Sequence, residues 1–254
     1  MCGFVGFISN KLLEEGRHDQ NQMVERANQI IHRGPDDDGY FTDDTVQLAF
    51  RRLSIIDLEG GHQPLSYEND RYHIIFNGEI YNYVELRESL LEKGMPFQTT
   101  SDTEVILALF ADRGVEAVKA LRGMFGFVIW DKVEKTVFAA RDPFGIKPFY
   151  YMETENGTFF ASEKKSLLIG ESEHPVAREA LQHYLTFQFV PEPKTMAENI
   201  HRLAPGHYLI KKAGEPLKIK SYWKPEFHPV HQTLDEAKSK IRDVLRESVR
   251  LHMR

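Results

Sequence analysis

The sequence predicts an α+β protein in which antiparallel β-sheets have helices on their outer faces. Three observations support this fold class. Strand-like segments occur in groups, a few amphipathic helical segments interrupt them, and the regular strand–helix alternation of a doubly wound parallel sheet is absent. A chain of 254 residues is long enough to bury a large core in one domain or slightly more.

Most of the predicted strands lie in the first two thirds of the chain. Residues 3–9 (GFVGFIS) are rich in β-branched and aromatic side chains, which is typical of a mostly buried strand. Similar composition predicts further strands at 46–55, 72–78, 124–131, 137–142 and 158–163. Apolar residues at helical spacing predict helices at 19–32, 83–94, 101–114 and 116–123. The Gly34–Pro35 pair is expected to end the first of them.

The last third of the chain changes in character. Residues 191–195 (PEPKT) predict a loop, 201–212 a turn that leads into a strand, and 223–229 (WKPEFHP) an extended linker. The segment 233–254 has apolar residues at helical spacing, and its Thr233 and Glu236 have the spacing of a capping box. It is either a terminal helix docked on the domain or the first helix of a second domain outside this sequence. We favour the second interpretation.

Composition and charge exclude several functional classes. A net charge of −6 gives no basic field for nucleic acid or an anionic membrane. No apolar run reaches 18 residues, and the first fifteen residues lack the features of a signal peptide. A single cysteine cannot form an internal disulfide, and no Cys/His cluster has zinc spacing. We therefore expect a cytoplasmic protein without a structural metal.

That single cysteine, Cys2, directly follows the initiator methionine. Methionine aminopeptidases remove Met1 when the next side chain is small, which would leave Cys2 with a free α-amine. Such an amine has a pKa of about 8 and can accept the thiol proton directly or through one water. Nucleophile and base then come from one residue, and no catalytic histidine is needed. The alternative is that Cys2 is a small, slightly apolar residue at the start of a strand.

Seven other segments allow a choice between these interpretations. They are HRGPDDDGYF (32–41), RRLSIIDLEGGHQPL (51–65), FNGEIYNYVELR (76–87), TTSDTEVILAL (99–109), GMFGFVIWD (123–131), RDPFGIKPFYY (141–151) and FASEKKSLL (160–168). In this order, they resemble the glutaminase domain of glutamine-hydrolysing asparagine synthetases, which are class II amidotransferases of the N-terminal nucleophile superfamily. The resemblance covers residues 2 to about 210 and implies a four-layer α/β/β/α sandwich of two antiparallel sheets.

The resemblance also implies a domain organisation. The glutamine amidotransferase domain would occupy residues 2–210, and residues 211–232 would form a linker and the final strand. Residues 233–254 would then begin an ATP-dependent synthetase domain that this sequence lacks.

By the same resemblance, Cys2 attacks the carboxamide carbon of L-glutamine, releases ammonia and forms a γ-glutamyl thioester that water cleaves. Asn77 and Gly78 match the oxyanion hole, which supplies one side-chain amide and one backbone N–H. A tetrahedral oxyanion requires such convergent donors. Without the resemblance, the Asn-Gly pair would indicate a hairpin turn.

The resemblance assigns the remaining site residues to substrate binding. Arg52 matches the arginine that binds the substrate carboxylate, for which a bidentate guanidinium is suited. Glu79 and Asp102 match the groups that bind the α-ammonium. Backbone contacts come from the stretch Arg52, Leu53, Ser54, Ile55 and Ile56. Strand alternation should point the neighbouring Arg51 to the opposite face.

Simpler interpretations exist for two of these residues and for two of the matching segments. Arg52 could be a solvated charge at a strand end, and Asp102 could be the N-cap of the following helix. The Asp36–Asp38 run does not predict a metal site, and we expect it to shape a loop near the active site. RDPFGIKPFYY lacks the glycines and the GK[ST] ending of a phosphate loop, so we expect a strand–turn–strand that packs the core near the second domain. Structural roles are expected for His32 and His62.

The synthetase domain of this family has an SGGxDS-type pyrophosphate loop and binds ATP and Mg²⁺, but this sequence contains no such motif. We therefore expect no cofactor in this chain, with L-glutamine as substrate and the C-terminal synthetase domain as partner. Ammonia would reach that domain through a tunnel and convert aspartate to asparagine. Neither nucleic acid nor membrane is an expected partner, and an apolar face left uncovered by the synthetase domain would favour association, for example as a homodimer.

Four alternatives stay open. The same glutaminase domain could feed a different acyl acceptor, or the chain could be a natural stand-alone glutaminase. It could also be a non-catalytic amidotransferase-like binding module, or an N-terminal nucleophile hydrolase that acts on another amide.

Overall fold

Two six-stranded antiparallel sheets pack face to face in the computed structural model, which describes residues 2–11, 20–53, 61–170 and 173–253. Helices cover both outer faces. The predicted α+β class and the four-layer arrangement are therefore confirmed.

The first sheet is built around β1, which pairs with strands on both sides and is buried along its whole length. This agrees with its nearly uninterrupted apolar sequence. In spatial order the strands are β10 (His201–Arg202), β8 (Tyr150–Glu153), β9 (Gly157–Ala161), β1 (Gly3–Ser9), β3 (Val46–Arg52) and β2 (Asp37–Thr42). Gly3 lies opposite Arg51, so Cys2 is next to the C-terminal end of β3.

The second sheet is built around a long pair, in which β5 and β6 are in register over nine residues. Its spatial order is β12 (Lys218–Ser221), β11 (His207–Lys212), β7 (Thr136–Arg141), β6 (Gly123–Asp131), β5 (Tyr72–Ile80) and β4 (Leu65–Tyr67). Strand β11 continues past residue 210, and β12 lies within the predicted segment of linker and final strand. The predicted domain boundaries stay predictions.

The helices are α1 (Gln20–Asn28), α2 (Tyr83–Glu92), α3 (Asp102–Arg113), α4 (Arg178–Phe187) and α5 (Leu234–His252). Short 3₁₀ helices cover Ile31–Arg33, Gly114–Ala120 and Lys164–Ser166. Helix α1 packs on the outer face of the first sheet, and α2 and α3 pack on the outer face of the second.

The core consists of three apolar layers. Between the sheets, the alternate residues of β1, β3, β5 and β6 interdigitate, including Phe4, Leu48, Phe50, Ile75 and Trp130. Each fully buried side chain of this size contributes about 1.5–3 kcal/mol of transfer free energy. Polar residues at or near the ends of β1, β3 and β5, namely Cys2, Arg52 and Asn77, line a common cavity.

Two sequence predictions of secondary structure are corrected by the structure, and one helix had no prediction. The helix predicted for 19–32 ends at Asn28, and the chain continues as the 3₁₀ helix Ile31–Arg33. The segment predicted as a helix at 116–123 is a 3₁₀ helix, since Gly114 at φ +55° ends α3 and leaves only a short connection to β6. The sequence analysis predicts no element for α4, which buries Ala180 and leaves Leu181, Tyr184 and Leu185 exposed.

Two of the segments that carried the resemblance also differ from expectation. Asp37 and Asp38 begin β2, rather than a loop, because they pair with Arg52 and Arg51 of β3. RDPFGIKPFYY does contain strand, turn and strand, but β7 and β8 belong to different sheets. Residues 142–149 therefore connect the two sheets.

Helix α5 begins with the predicted capping box between Thr233 and Glu236. Its C-terminal end lies beside the end of β5. Leu251 is buried there, and the centroid of the His252 ring lies 4.0 Å from that of the Tyr81 ring. Five apolar side chains along the helix are 58–70% exposed, namely Leu234, Ile241, Val244, Leu245 and Val249. None of the helices in the described part of the chain has the length and apolar character needed to span a bilayer.

Candidate active site

A cavity of about 180 Å³ opens where the ends of β1, β3 and β5 meet the N-terminus of α3. Seven of the predicted site residues line it, namely Cys2, Arg52, Leu53, Asn77, Gly78, Glu79 and Asp102. Ser54, Ile55 and Ile56 lie outside the described residues. The rest of the lining consists of Gly61, Gln63, Phe76, Ser101, Thr103, Met124 and Lys147.

Cys2 is half-buried at the start of β1. The backbone N–H of Leu53 donates to its Sγ at 3.4 Å, and the Leu53 carbonyl lies 3.5 Å from the same atom. The Arg33 Nε donates to the Cys2 carbonyl at 3.0 Å. Burial raises the pKa of the thiol, whereas the Leu53 N–H, the N-terminal charge, Arg52 and Lys147 lower it. Backbone and thiol are thus fixed from two directions.

Asn77 and Gly78 lie inside β5, opposite Gly126 and Phe125 of β6, so the hairpin-turn interpretation is wrong. Phe76 packs against the helix layer, and alternation therefore points Asn77 to the opposite side, where Cys2 lies. Asn77 is 1% exposed, and its Nδ2 has no hydrogen-bond partner among the described residues. A buried amide donor without a partner is costly, which makes this atom a candidate binding group.

Gly78 is the residue type that this position requires. A Cβ added there would lie 2.3 Å from the Met124 carbonyl oxygen and 2.8 Å from the Phe125 Cα. Strand β6 thus approaches so closely that only glycine leaves the pairing undisturbed.

Arg52 is buried on the inner face of β3, together with Leu48 and Phe50. The interpretation as a solvated strand-end charge is therefore wrong. Arg51 points to the outer face, as alternation predicts, where it hydrogen-bonds to Asn28 and lies 3.4 Å from Asp38.

Asp102 is the first residue of α3, and the N-cap is Ser101, whose side chain accepts from the Thr103 N–H at 3.1 Å. The N-cap interpretation of Asp102 is thus wrong by one residue. Its carboxylate accepts from the Ile80 N–H at 3.0 Å. Burial and, less strongly, the charge of Glu79 raise the pKa of Asp102 to about 6.

Three cavity or neighbouring residues were missed by sequence reasoning. Gln63 hydrogen-bonds to both the N–H and the carbonyl of Phe76, at 2.6 and 3.3 Å, and so braces β5 beside Asn77. Arg33 anchors the Cys2 backbone. The sequence predicts a core-packing turn around Lys147, and the only signal for a site role is a lysine between the apolar residues Ile146 and Pro148.

The acidic run and the two histidines are not among the residues that line the cavity. His62 pairs with Asp37 at 2.6 Å, and His32 pairs with Glu163 at 2.8 Å. In the parts of the chain that the structure describes, no three side chains of His, Cys, Asp or Glu are grouped as a metal site would require.

The family model of the glutamine amidotransferase domain matches residues 1–223. The chain belongs to this family. The sequence-based assignment to glutamine amidotransferases is therefore confirmed.

Individual relatives agree with this assignment. The chain is similar to glutamine-hydrolysing asparagine synthetase 1 of Bacillus subtilis, with 49% identity over 255 residues that cover all of this chain and 40% of the relative. It is also similar to asparagine synthetase 2 of the same organism, with 40% identity over 88% of this chain and 30% of the relative. The chain therefore spans less than half the length of each of these two relatives.

A solved structure confirms the fold. Glutamine phosphoribosylpyrophosphate amidotransferase from B. subtilis, complexed with ADP and GMP, superposes with a TM-score of 0.62 over 88% of this chain and 50% of its own. Sequence identity is 19%, so the similarity concerns the architecture of the amidotransferase domain alone.

Proposed function

We propose that this chain hydrolyses L-glutamine to L-glutamate and ammonia, with Cys2 as the nucleophile. The main support is the grouping in one cavity of a half-buried thiol, an unpartnered amide donor, a guanidinium and two carboxylates. These are the groups that acyl transfer from a zwitterionic amino-acid amide requires.

The first half-reaction begins once Met1 has been removed. The α-amine of Cys2 accepts the thiol proton, and Sγ forms a bond to the carboxamide carbon of glutamine. The carbonyl π electrons move to oxygen, where Asn77 Nδ2 and the Gly78 N–H stabilise the oxyanion. When the tetrahedral intermediate collapses, the C–N bond breaks, the leaving nitrogen takes the proton back from the α-ammonium, and ammonia departs.

The second half-reaction returns Cys2 to its starting state. The α-amine accepts a proton from water as its oxygen attacks the thioester carbon, and the same oxyanion hole is used again. Cleavage of the S–C bond releases glutamate, and the thiolate recovers its proton from the α-ammonium. The new γ-carboxyl group then loses its proton, which ammonia takes up, so the sum of both halves is one glutamine and one water consumed, and one glutamate and one ammonium ion formed.

Recognition of glutamine follows from the charges on the cavity wall. The guanidinium of Arg52 binds the α-carboxylate, and Glu79 and Asp102 bind the α-ammonium. With a pKa of about 6, Asp102 is mostly ionised at neutral pH and can bind a cation. An uncharged amide substrate would offer no carboxylate to the Arg52 guanidinium and no ammonium to the Asp102 carboxylate, which disfavours a hydrolase of another amide.

We further propose that the ammonia serves a synthetase domain that follows this one in the complete protein. Relatives named as asparagine synthetases extend far beyond the aligned region, and α5 has an exposed apolar stripe suited to a covering domain. That domain would use ATP and Mg²⁺ to activate aspartate, and ammonia would convert it to asparagine.

The test is ammonia release from glutamine by the purified chain, with Cys2→Ala as the matched variant and the intact mass of both proteins recorded. We expect release by the wild type and none by the variant. Release that survives in Cys2→Ala would contradict the proposal. A wild type that lacks Met1 and binds glutamine without releasing ammonia would instead support a non-catalytic binding module.

A further inference from the structure

Lys147 is a buried lysine in the wall of the Cys2 cavity. Its side chain is 5% exposed, and it lines the same space as Cys2, Asn77 and Glu79. Removing an ammonium from water is costly unless charged partners compensate for the lost hydration. A lysine at this place therefore needs an explanation beyond packing.

The backbone of Lys147 is fixed on both sides. Its N–H donates to the Asp142 carboxylate at 2.9 Å, and its carbonyl accepts from Arg141 Nε at 2.7 Å. Asp142 is fully buried and also accepts from the N–H groups of Phe144 and Ile146. The connection between the two sheets is thus ordered so that residue 147 is held at the cavity.

Several charges face the Lys147 ammonium. Burial and the positive charge of Arg33 lower its pKa, whereas Cys2, Glu79 and Asp142 raise it. The thiol of Cys2 is in turn under the influence of the N-terminal charge, of Arg52 and of Lys147, each of which favours the thiolate. Asp102 is the remaining acidic group of the cavity wall.

Two of these cations do not act on the sulfur in the reaction as we propose it. The N-terminal charge is that of Met1, which is removed beforehand and leaves an uncharged α-amine on Cys2 to accept the thiol proton, and the substrate carboxylate neutralises Arg52. Neither change affects Lys147, so its charge continues to act on the sulfur while glutamine is bound. We propose that Lys147 is a further residue of the active site, whose ammonium stabilises the thiolate form of Cys2. This inference rests on the proposed function, in which Cys2 is the nucleophile.

The experiment uses the fact that Cys2 is the only cysteine in the chain. Alkylation by iodoacetamide, followed by intact mass from pH 5 to 10, measures the thiolate fraction of Cys2 alone. For Lys147→Met, we expect the midpoint of the curve of alkylation rate against pH to move about half to one pH unit upward. The alkylation rate at pH 7 then falls about three- to tenfold. For Lys147→Arg, which keeps the charge, we expect a midpoint close to that of the wild type.

The matched control is Lys211→Met, because Lys211 is also buried but hydrogen-bonds to the Glu215 carbonyl away from the cavity. Its midpoint should equal that of the wild type. Lys147→Gln replaces Lys147→Met if the latter does not give a folded protein by circular dichroism. An unchanged midpoint in the folded, charge-removing variant would overturn the inference, as would equal shifts in Lys147→Arg or Lys211→Met.

Alkylation needs no turnover, so this result is independent of the glutaminase assay. A chain that fails to release ammonia but shows the predicted midpoint shift would contradict the proposed function and leave the electrostatic coupling of Lys147 to Cys2 in place.

Discussion

The Asp102 carboxylate accepts a hydrogen bond from the backbone N–H of Ile80 at 3.0 Å, and this contact joins the start of α3 to the end of β5. Asp102 is 5% exposed. The hydrogen bond stabilises the ionised form, but burial outweighs it and raises the pKa to about 6. The group therefore titrates close to neutral pH, where its charge can be tested.

The first prediction concerns the pH dependence of glutamine binding. As the pH falls through about 6, Asp102 takes up a proton and loses its attraction for the α-ammonium. KM for glutamine should therefore rise up to about tenfold for each pH unit below 6. Initial rates between pH 5 and 8 measure this effect. Asp102→Asn should have a high KM without an inflection near pH 6, and a flat wild-type KM would argue against the assignment.

The second prediction concerns stability. The pKa of Asp102 is higher in the folded state than in the unfolded chain, so its protonation favours the fold. This contribution is complete below the unfolded value near 4 and is lost as the pH rises through about 6. The wild type therefore loses stability as the pH rises, whereas Asp102→Asn does not. The free energy of unfolding of Asp102→Asn minus that of the wild type should increase by about 1–3 kcal/mol from pH 4 to pH 7.5. Urea unfolding of both proteins at these pH values measures the difference, and a constant difference would contradict the raised pKa.

The third prediction separates catalysis from folding at Asn77. Its Nδ2 has no hydrogen-bond partner in the described structure, so truncation breaks no hydrogen bond of the folded state at that atom. Asn77→Ala should lower kcat about 100- to 1,000-fold, as loss of one oxyanion donor does elsewhere. KM should change little. The melting temperature should fall only by the modest amount due to lost packing. A large loss of stability with normal kcat would indicate a structural role instead.

The contrast between Arg52 and Lys147 shows what the sequence could predict. The resemblance assigned Arg52 to the site, and period-2 alternation along β3 was then sufficient to point Arg51 to the opposite face, because a strand has only two faces. Lys147 follows a turn whose direction depends on the buried carboxylate of Asp142, and no local pattern encodes a crossing between two sheets. Local composition therefore predicted the strands, and alternation placed Arg51 and Arg52 on opposite faces of one of them.

Local sequence patterns were also insufficient to predict the structural positions of Asn77 and Asp102. The Asn-Gly pair suits a hairpin turn by local preference, yet long-range pairing with β6 places it within a strand. The N-cap differs by one residue because Ser101 competes successfully for the Thr103 N–H. Only the resemblance to a known family connected these separate positions before the structure did.

The last prediction concerns Glu163, which acts on Cys2 through Arg33. Glu163 Oε1 lies 2.9 Å from Arg33 Nη1, and Arg33 Nε donates to the Cys2 carbonyl. Although burial opposes it, hydrogen bonds from Arg33 and His32 hold the pKa of Glu163 below its usual range. The ionised carboxylate thus orients the guanidinium that fixes the position of the nucleophile.

Removing this orientation should affect the chemical step more than substrate binding. Glu163→Ala is expected to lower kcat by up to about 100-fold with little change in KM, since small displacements of a nucleophile have effects of this size. Glu163→Gln keeps an acceptor for Arg33 and should recover most of the rate. Glu155→Ala removes an exposed carboxylate on a distant turn and serves as the control. Equal losses in Glu163→Ala and Glu163→Gln would show that charge, rather than the position of Arg33, is the property that matters.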